Sequence, residues 1–335
     1  MSLRTYLIKR LLYTLILTFF VIILNWIIFE AMPGFSGNVY AALGQQGRIG
    51  PAQYNHQIAL YGLDKPYWTR FYDYIKAMLT FQFGFSYASN QDVTYEMIST
   101  GKLTNTLVLL GTSTVFAIII GTVLGIIISR KRGSTLDSFW VTTSLTTFSL
   151  PTFFMGILLI FVFSIALNWF PSGSTHPNTW DIVGGNLTPP LFQQLLIRLQ
   201  YLFLPALTLT LFAYGGFLLL TRATMMEALS EDYILTARAK GLTERAILFK
   251  HAFKNASLPL ITNAALSFAF ILSGAIITET IFNWDGLGRW LFSSIGYKDY
   301  PVMQAMFYII ALCVIAANFV SDILYGIVDP RIKYE

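Results

Sequence analysis

The sequence predicts an all-α integral membrane protein with six transmembrane helices and both termini on the cytoplasmic side. Three observations carry that prediction. First, of 335 residues 55% are hydrophobic and only 12% charged, about half the charged share of an ordinary soluble domain. That leaves too few charges to cover a globular surface of this size, and the mean hydropathy of +0.60 agrees. Second, six stretches contain no Asp, Glu, Lys or Arg: 11–29, 103–129, 138–180, 199–221, 255–278 and 300–321. Each is long enough to cross a hydrocarbon core of about 30 Å, which takes about 20 apolar residues in a helix. Third, the basic residues alternate between the segments joining these stretches.

The expected spans are 10–30, 103–129, 138–168, 200–221, 257–279 and 303–327 in a single transmembrane domain. The first begins with Arg4, Lys9 and Arg10, as a signal peptide would. Its apolar run of 19 residues exceeds the roughly 7–15 of a cleaved signal, and no small-x-small site follows, so it reads as a retained helix. The second carries Gly121 and Gly125, a step that lets two helix backbones approach closely. The apolar part of the third ends near Phe170, before Pro171, Ser172, Gly173 and Ser174. A break at Pro151 would divide it into two short spans, but no polar turn surrounds Pro151 in lipid. One span kinked at Pro151 is expected, with hydroxyls taking up the freed carbonyls. In the fourth span Gly215 and Gly216 follow Pro205 and mark a tight contact or a bend.

Orientation follows from charge. With the N-terminus inside, the inner segments hold Arg4, Lys9, Arg10, Arg130, Lys131, Arg132, Arg222, Arg238, Lys240, Arg245, Lys250, Lys254, Arg331 and Lys333, fourteen of the 22 basic residues. Most stand close to a helix end, where the positive-inside rule has most force. The outer stretch 31–102 is the longest loop. Its amphipathic run near Tyr67 to Leu79 is expected to lie along the membrane surface.

Several chemistries find no residues. There is no Gly-x-x-x-x-Gly-Lys-[Ser/Thr] loop to cradle a triphosphate; Gly101, Lys102 and Leu103 lack both the first glycine and the hydroxyl. No His-Glu-x-x-His helix is present. His56, His176 and His251 stand far apart and read as polar loop residues. The single cysteine, Cys313, excludes an internal disulfide and a cysteine-based metal cluster. Ser149 has no base nearby in sequence. Asp322 and Glu279 lie close enough to span ends for a structural role. A carrier driven by an ion gradient, which usually shows more buried carboxylates or broken helices, is the weaker alternative.

The segment 222–257 between the fourth and fifth spans is different. It carries six basic residues with Glu227, Glu231, Asp232 and Glu244. Tyr233, Ile234 and Ala237 share one helical face, and Gly241 stops or bends that helix. Thr243 is placed to cap a second helix, in which Leu248, Phe249, Ala252, Phe253 and Ala256 recur at helical spacing. Two short amphipathic helices about a glycine hinge fit a groove on a partner protein. They equally fit a hairpin lying on the anionic inner leaflet. The pattern alone leaves both open.

This segment resembles the signature loop of the membrane subunits of ABC importers, and the chain resembles the B-type permease of their oligopeptide/dipeptide branch. The resemblance runs over almost the whole chain. It is carried by Tyr6-Leu-Ile-Lys-Arg10, Met32-Pro33-Gly34, Tyr61-Gly-Leu-Asp-Lys-Pro66, Lys131-Arg-Gly-Ser134 with Asp137, and Ser149-Leu-Pro151. It continues through Asp232-Tyr233, Thr236-Ala-Arg-Ala-Lys-Gly241, His251, Asn255, Leu258 and Pro259. Gly286-Leu-Gly288, Asp299-Tyr-Pro301, Asn318, Asp322 and Asp329-Pro-Arg331 complete it. Each motif is weak by itself; their order and membrane depth together are specific.

The resemblance implies the type I importer permease fold in the cytoplasmic (inner) membrane and a transport subunit with no ATPase motif of its own. It implies a homologous second permease, two cytoplasmic ATPases holding ATP and magnesium, and an external substrate-binding protein; no nucleic-acid partner is expected. Residues Ala237, Arg238, Ala239, Lys240, Gly241, Leu242, Thr243, Glu244 and Arg245 would form the ATPase-coupling loop. Transport would proceed by alternating access, with short peptides as ligand and oligosaccharides as the alternative. The departures lie outside: Phe35 replaces an acidic residue, Phe81-Gln82 replaces Gly-Asp before Gly84 and Ser86, and Asp285 replaces a proline before Gly286. They bear on the ligand and on the binding protein, not on the ATPase side. No substrate-binding residue is assigned.

Overall fold

The computed structural model describes residues 3–31, 64–181 and 189–328. The motifs Met32-Pro33-Gly34 and Asp329-Pro-Arg331, the start of the Tyr61 motif, Phe35, His56 and Lys333 lie outside the described residues. In chain order the helices are α1 (Leu3–Trp26, closing in a wide π turn Ile27–Ala31), α2 (Tyr67–Thr80), α3 (Val93–Ser99), α4 (Lys102–Ser129), α5 (Thr135–Ser149) and α6 (Thr152–Leu159, continued by a π turn Ile160–Ala166). Then follow α7 (Leu191–Leu229), α8 (Asp232–Ala239), α9 (Phe253–Ile281), α10 (Leu287–Tyr297) and α11 (Tyr300–Val328). Among the described residues the one β pairing is an isolated bridge between Phe85 and Asp92.

Four described helices are long and apolar enough to cross a bilayer: α1 with its π turn, α4, α7 and the 300–323 part of α11. The bent pair α5–α6 makes five if it is one span. Length and apolarity therefore give four or five spans against the six expected. The expected span 257–279 lies in α9, a helix of 29 residues.

The third span departs from expectation. It is broken, not kinked: α5 and α6 meet at 104°. Leu150 (ψ 135°) and Pro151 (φ −58°, ψ 135°) are both extended. The Pro151 ring disfavours helical backbone at the residue before it and supplies no N–H to continue the ladder. The hydroxyls do not rescue the freed carbonyls. Thr146 and Ser149 donate one turn back, to the carbonyls of Thr142 (2.9 Å) and Leu145 (2.7 Å).

The chain forms two compact units, one built on Leu107–Trp284 and the other on Lys9–Thr106 with Asp285–Ala316. In the second unit α2 docks through aromatic edges: Tyr67, Phe71 and Tyr74 surround Trp26 with ring centroids 5.2–5.6 Å apart. Its other face exposes Trp68 and Tyr72, the amphipathic division its sequence predicts. Arg70 pairs with Glu30, which also accepts from the Gln304 amide at 3.2 Å. Asp299, buried, accepts from the Tyr87 and Ala88 N–H groups (3.0 and 3.2 Å) and the Ser86 hydroxyl, holding the 86–88 turn against the start of α11.

In the first unit small residues set the packing. A Cβ built on Gly121 would stand 2.5 Å from the Tyr214 carbonyl oxygen, and one on Gly125 would stand 2.6 Å from the Thr221 Cβ. The Gly-x-x-x-Gly step thus brings α4 onto α7 backbone to backbone. Gly215 does the same for α5, where a Cβ would stand 2.8 Å from the Ser144 carbonyl oxygen.

Candidate functional site

The segment between α7 and α9 is a folded hairpin. Asp232 in the first turn of α8 and Arg238 in its last both favour the helix dipole. The helix stops at Gly241, whose φ of 72° is left-handed. The Leu242 N–H bonds back to the Ala237 carbonyl (3.4 Å) and the Gly241 N–H to that of Arg238 (2.9 Å). These two bonds are the pair that defines a Schellman stop. Thr243 then starts the next helix: its hydroxyl oxygen accepts from the Ala246 N–H at 3.3 Å. A short helical turn (Glu244–Ala246) and a π turn (Ile247–Ala252) lead directly into α9.

The hairpin has two faces. Ile234, Ala237, Ile247, Leu248, Ala252 and Ala256 are buried together with Ile126 of α4 and with Met225 and Ala228 of α7. Tyr233 and Phe253 pack at the edge of that cluster. Apart from Phe249, which is exposed, the apolar face read from the sequence is therefore used internally, to seat the hairpin on the ends of its own spans. The opposite face exposes Leu235, Leu242 and Phe249, among Arg238, Lys240, Arg245 and Lys250.

Of the nine residues singled out for coupling, Ala237 is buried in the seat, whereas Arg238, Ala239, Lys240, Gly241, Leu242, Thr243, Glu244 and Arg245 are exposed. Arg238 is not simply a surface cation. Its Nε lies 3.2 Å from Glu244 Oε1, with half of each side chain exposed. The pair bridges the two helices across the Gly241 turn, and at that exposure it contributes about 0–1 kcal/mol.

A second polar cluster lies close by. Asp137, in the first turn of α5, accepts from Arg222 Nε at 2.6 Å and Nη2 at 2.7 Å, and from the Gly133 N–H at 2.9 Å. Only 4% of the Asp137 side chain is exposed. In the sequence Asp137 stands within a motif and Arg222 only among the inner basic residues, with no motif to pair them. A signal was there: Asp137 immediately precedes one charge-free stretch and Arg222 immediately follows another, which puts opposite charges at matching depths.

Residues 121–334 match the family described as binding-protein-dependent transport system inner membrane component. The chain belongs to this family. Its permease relatives include the di/tripeptide transport system permease protein DppB of Pseudomonas aeruginosa, 36% identical over 98% of each chain. The oligopeptide transport system permease protein AppB of Bacillus subtilis is 34% identical over 98% of this chain and 99% of its own. The glutathione transport system permease protein GsiC of Escherichia coli is 35% identical over the same shares. The chain is thus a multi-pass inner-membrane permease, similar along its full length to dipeptide and oligopeptide permeases of ABC importers. The family match takes in the whole hairpin, both helices of the Asp137–Arg222 pair, and the Gly121 contact.

Proposed function

We propose that this permease is the membrane-spanning half of an ATP-driven importer of short peptides. It would span the membrane six times with both termini inside. It would work beside a homologous second permease, with two cytoplasmic ATPases carrying ATP and magnesium and an external binding protein delivering the ligand. The hairpin carries the reading. It is seated on α4 and α7 by its buried face and leaves Leu235, Leu242 and Phe249 exposed, along with the basic residues Arg238, Lys240, Arg245 and Lys250. Such a surface suits the groove of a soluble partner. Because the hairpin shares one buried cluster with α4 and α7, a partner that moves the hairpin would also move the adjoining ends of two spans. Alternating access needs that partner to grip the two states differently, since equal contacts shift nothing.

Peptides are favoured as cargo because the three relatives named above are permeases for di- and tripeptides, oligopeptides and glutathione. None of those names supports the oligosaccharide alternative. Reconstitution in proteoliposomes tests the reading. Uptake of a labelled dipeptide should require the ATPases, ATP and the binding protein, and an oligosaccharide should not compete. Uptake by this chain alone, without ATP, would establish the ion-gradient carrier instead.

A further inference from the structure

α5 and α7 run antiparallel, and three contacts join them in a register that holds to within one residue. Asp137 meets Arg222 through the two-point ion pair. Seven residues along α5 and seven back along α7, Ser144 meets Gly215, where no Cβ could fit. Near the end of α5 the rings of Phe148 and Phe212 stack with centroids 5.6 Å apart and 17° between planes. Seven residues are two helical turns, about 10 Å, so the contacts recur along one side of each helix. The register ends at the extended pair Leu150–Pro151. Beyond that break the chain leans on another support: a Cβ on Gly156 would stand 3.1 Å from the Phe282 ring, and the Ser174 N–H donates to the Phe282 carbonyl at 2.7 Å.

The ion pair sits at the end of this register nearest the hairpin. Arg222 stands one turn before Met225 on α7, and Met225 is buried in the hairpin's seat. A two-point guanidinium–carboxylate pair fixes orientation as well as distance. Of the two side chains only 4% of Asp137 and 24% of Arg222 are exposed.

The geometry points to Asp137 and Arg222 as a positioning pair that keeps α5 in step with α7, so that displacement of the hairpin is delivered to the break at Leu150–Pro151. The inference rests on the coupling reading given above. It adds a route into the third span.

The test uses the complete transporter, with both permeases, the ATPases and the binding protein, and reads dipeptide uptake per ATP hydrolysed. Two variants are compared with the parent: Asp137→Asn, and the double variant Asp137→Leu with Arg222→Met. The second removes the charges together and leaves no buried ion behind. Both variants should retain ATPase copurification and hydrolyse ATP within about twofold of the parent. Uptake per ATP should fall about tenfold, well inside the usual range of coupling between sites. An unchanged ratio in either assembled variant overturns the proposal, because packing alone would then suffice. Failure of both variants to assemble also overturns it, in favour of a purely structural pair. If the unaltered transporter shows no dependence of uptake on ATP, the coupling reading fails instead, and the two failures are told apart.

Discussion

Glu30 at the end of α1 and Arg70 on α2 form an ion pair with only 14% and 13% of their side chains exposed. The guanidinium also stands 6.0 Å from the Trp26 ring centroid, and Gln304 of α11 donates to the other carboxylate oxygen. One part-buried charge pair thereby ties a surface helix to two spans. Removing one partner leaves the other unpaired and partly desolvated; the cost is about 3–5 kcal/mol for a fully buried pair and smaller at this exposure. Arg70→Ala should therefore lower the thermal stability of the purified protein more than the double variant Arg70→Met with Glu30→Gln. A double-mutant cycle by thermal unfolding in detergent checks this; additive effects would show that the pair is uncoupled.

Neighbouring glycines on α7 should respond differently to one methyl group. Gly215→Ala forces a Cβ to 2.8 Å from the Ser144 carbonyl oxygen, whereas nothing lies within 4 Å of a Cβ on Gly216. Overpacking costs about 1–3 kcal/mol. Gly215→Ala should lower the unfolding temperature and Gly216→Ala should not. Equal effects would mean that α5 is free to withdraw from α7.

Gly241 presents a conformational demand without a steric one. Its φ is 72°, and a Cβ there has nothing within 4 Å. An L-residue in that conformation is strained by about 1–2 kcal/mol. Gly241→Ala should loosen the Schellman stop, and Gly241→Val more so because its branched side chain is stiffer. Hydrogen exchange should accelerate at Leu242 and Thr243, and peptide uptake should fall relative to ATP hydrolysis while membrane insertion stays normal. Unchanged uptake would remove Gly241 from the coupling path.

The two faces of the hairpin should separate by assay. Ile234→Asn places an amide in the buried seat and should destabilise the permease. Leu242→Ser with Phe249→Ser alters only exposed side chains, 39% and 50% accessible. That double variant should keep its unfolding temperature but weaken ATPase copurification. Reversing the charges of Arg238 and Lys240 should weaken copurification too. Undiminished ATPase yield in both would favour a hairpin that faces lipid.

The membrane character and the helical hairpin were legible because both rest on local pattern. Charge-free runs report on solvent, and Gly241 followed by Thr243 marks a stop and a start within a few residues. What faces what was less legible. Ile234 and Ala237 read as an apolar face under either reading of the loop, and spacing alone does not say whether that face meets a partner, a lipid leaflet or the ends of α4 and α7. The break at Pro151 is hard to read from sequence because an apolar neighbourhood argues against a turn in lipid. In the fold the segment past the break packs on protein, Gly156 against the Phe282 ring and the Ser174 N–H on the Phe282 carbonyl, while Pro151 itself stays exposed. The Asp137–Arg222 contact joins positions 85 residues apart, which no local periodicity can show.

Position 241 selects for handedness and not for size. Its φ is positive and its surroundings are open, so a mirror-image amino acid, for which that backbone region is the relaxed one, should seat there where its natural counterpart strains. Semisynthesis with D-alanine would keep the hairpin's turn while adding the very methyl group that L-alanine cannot carry without cost.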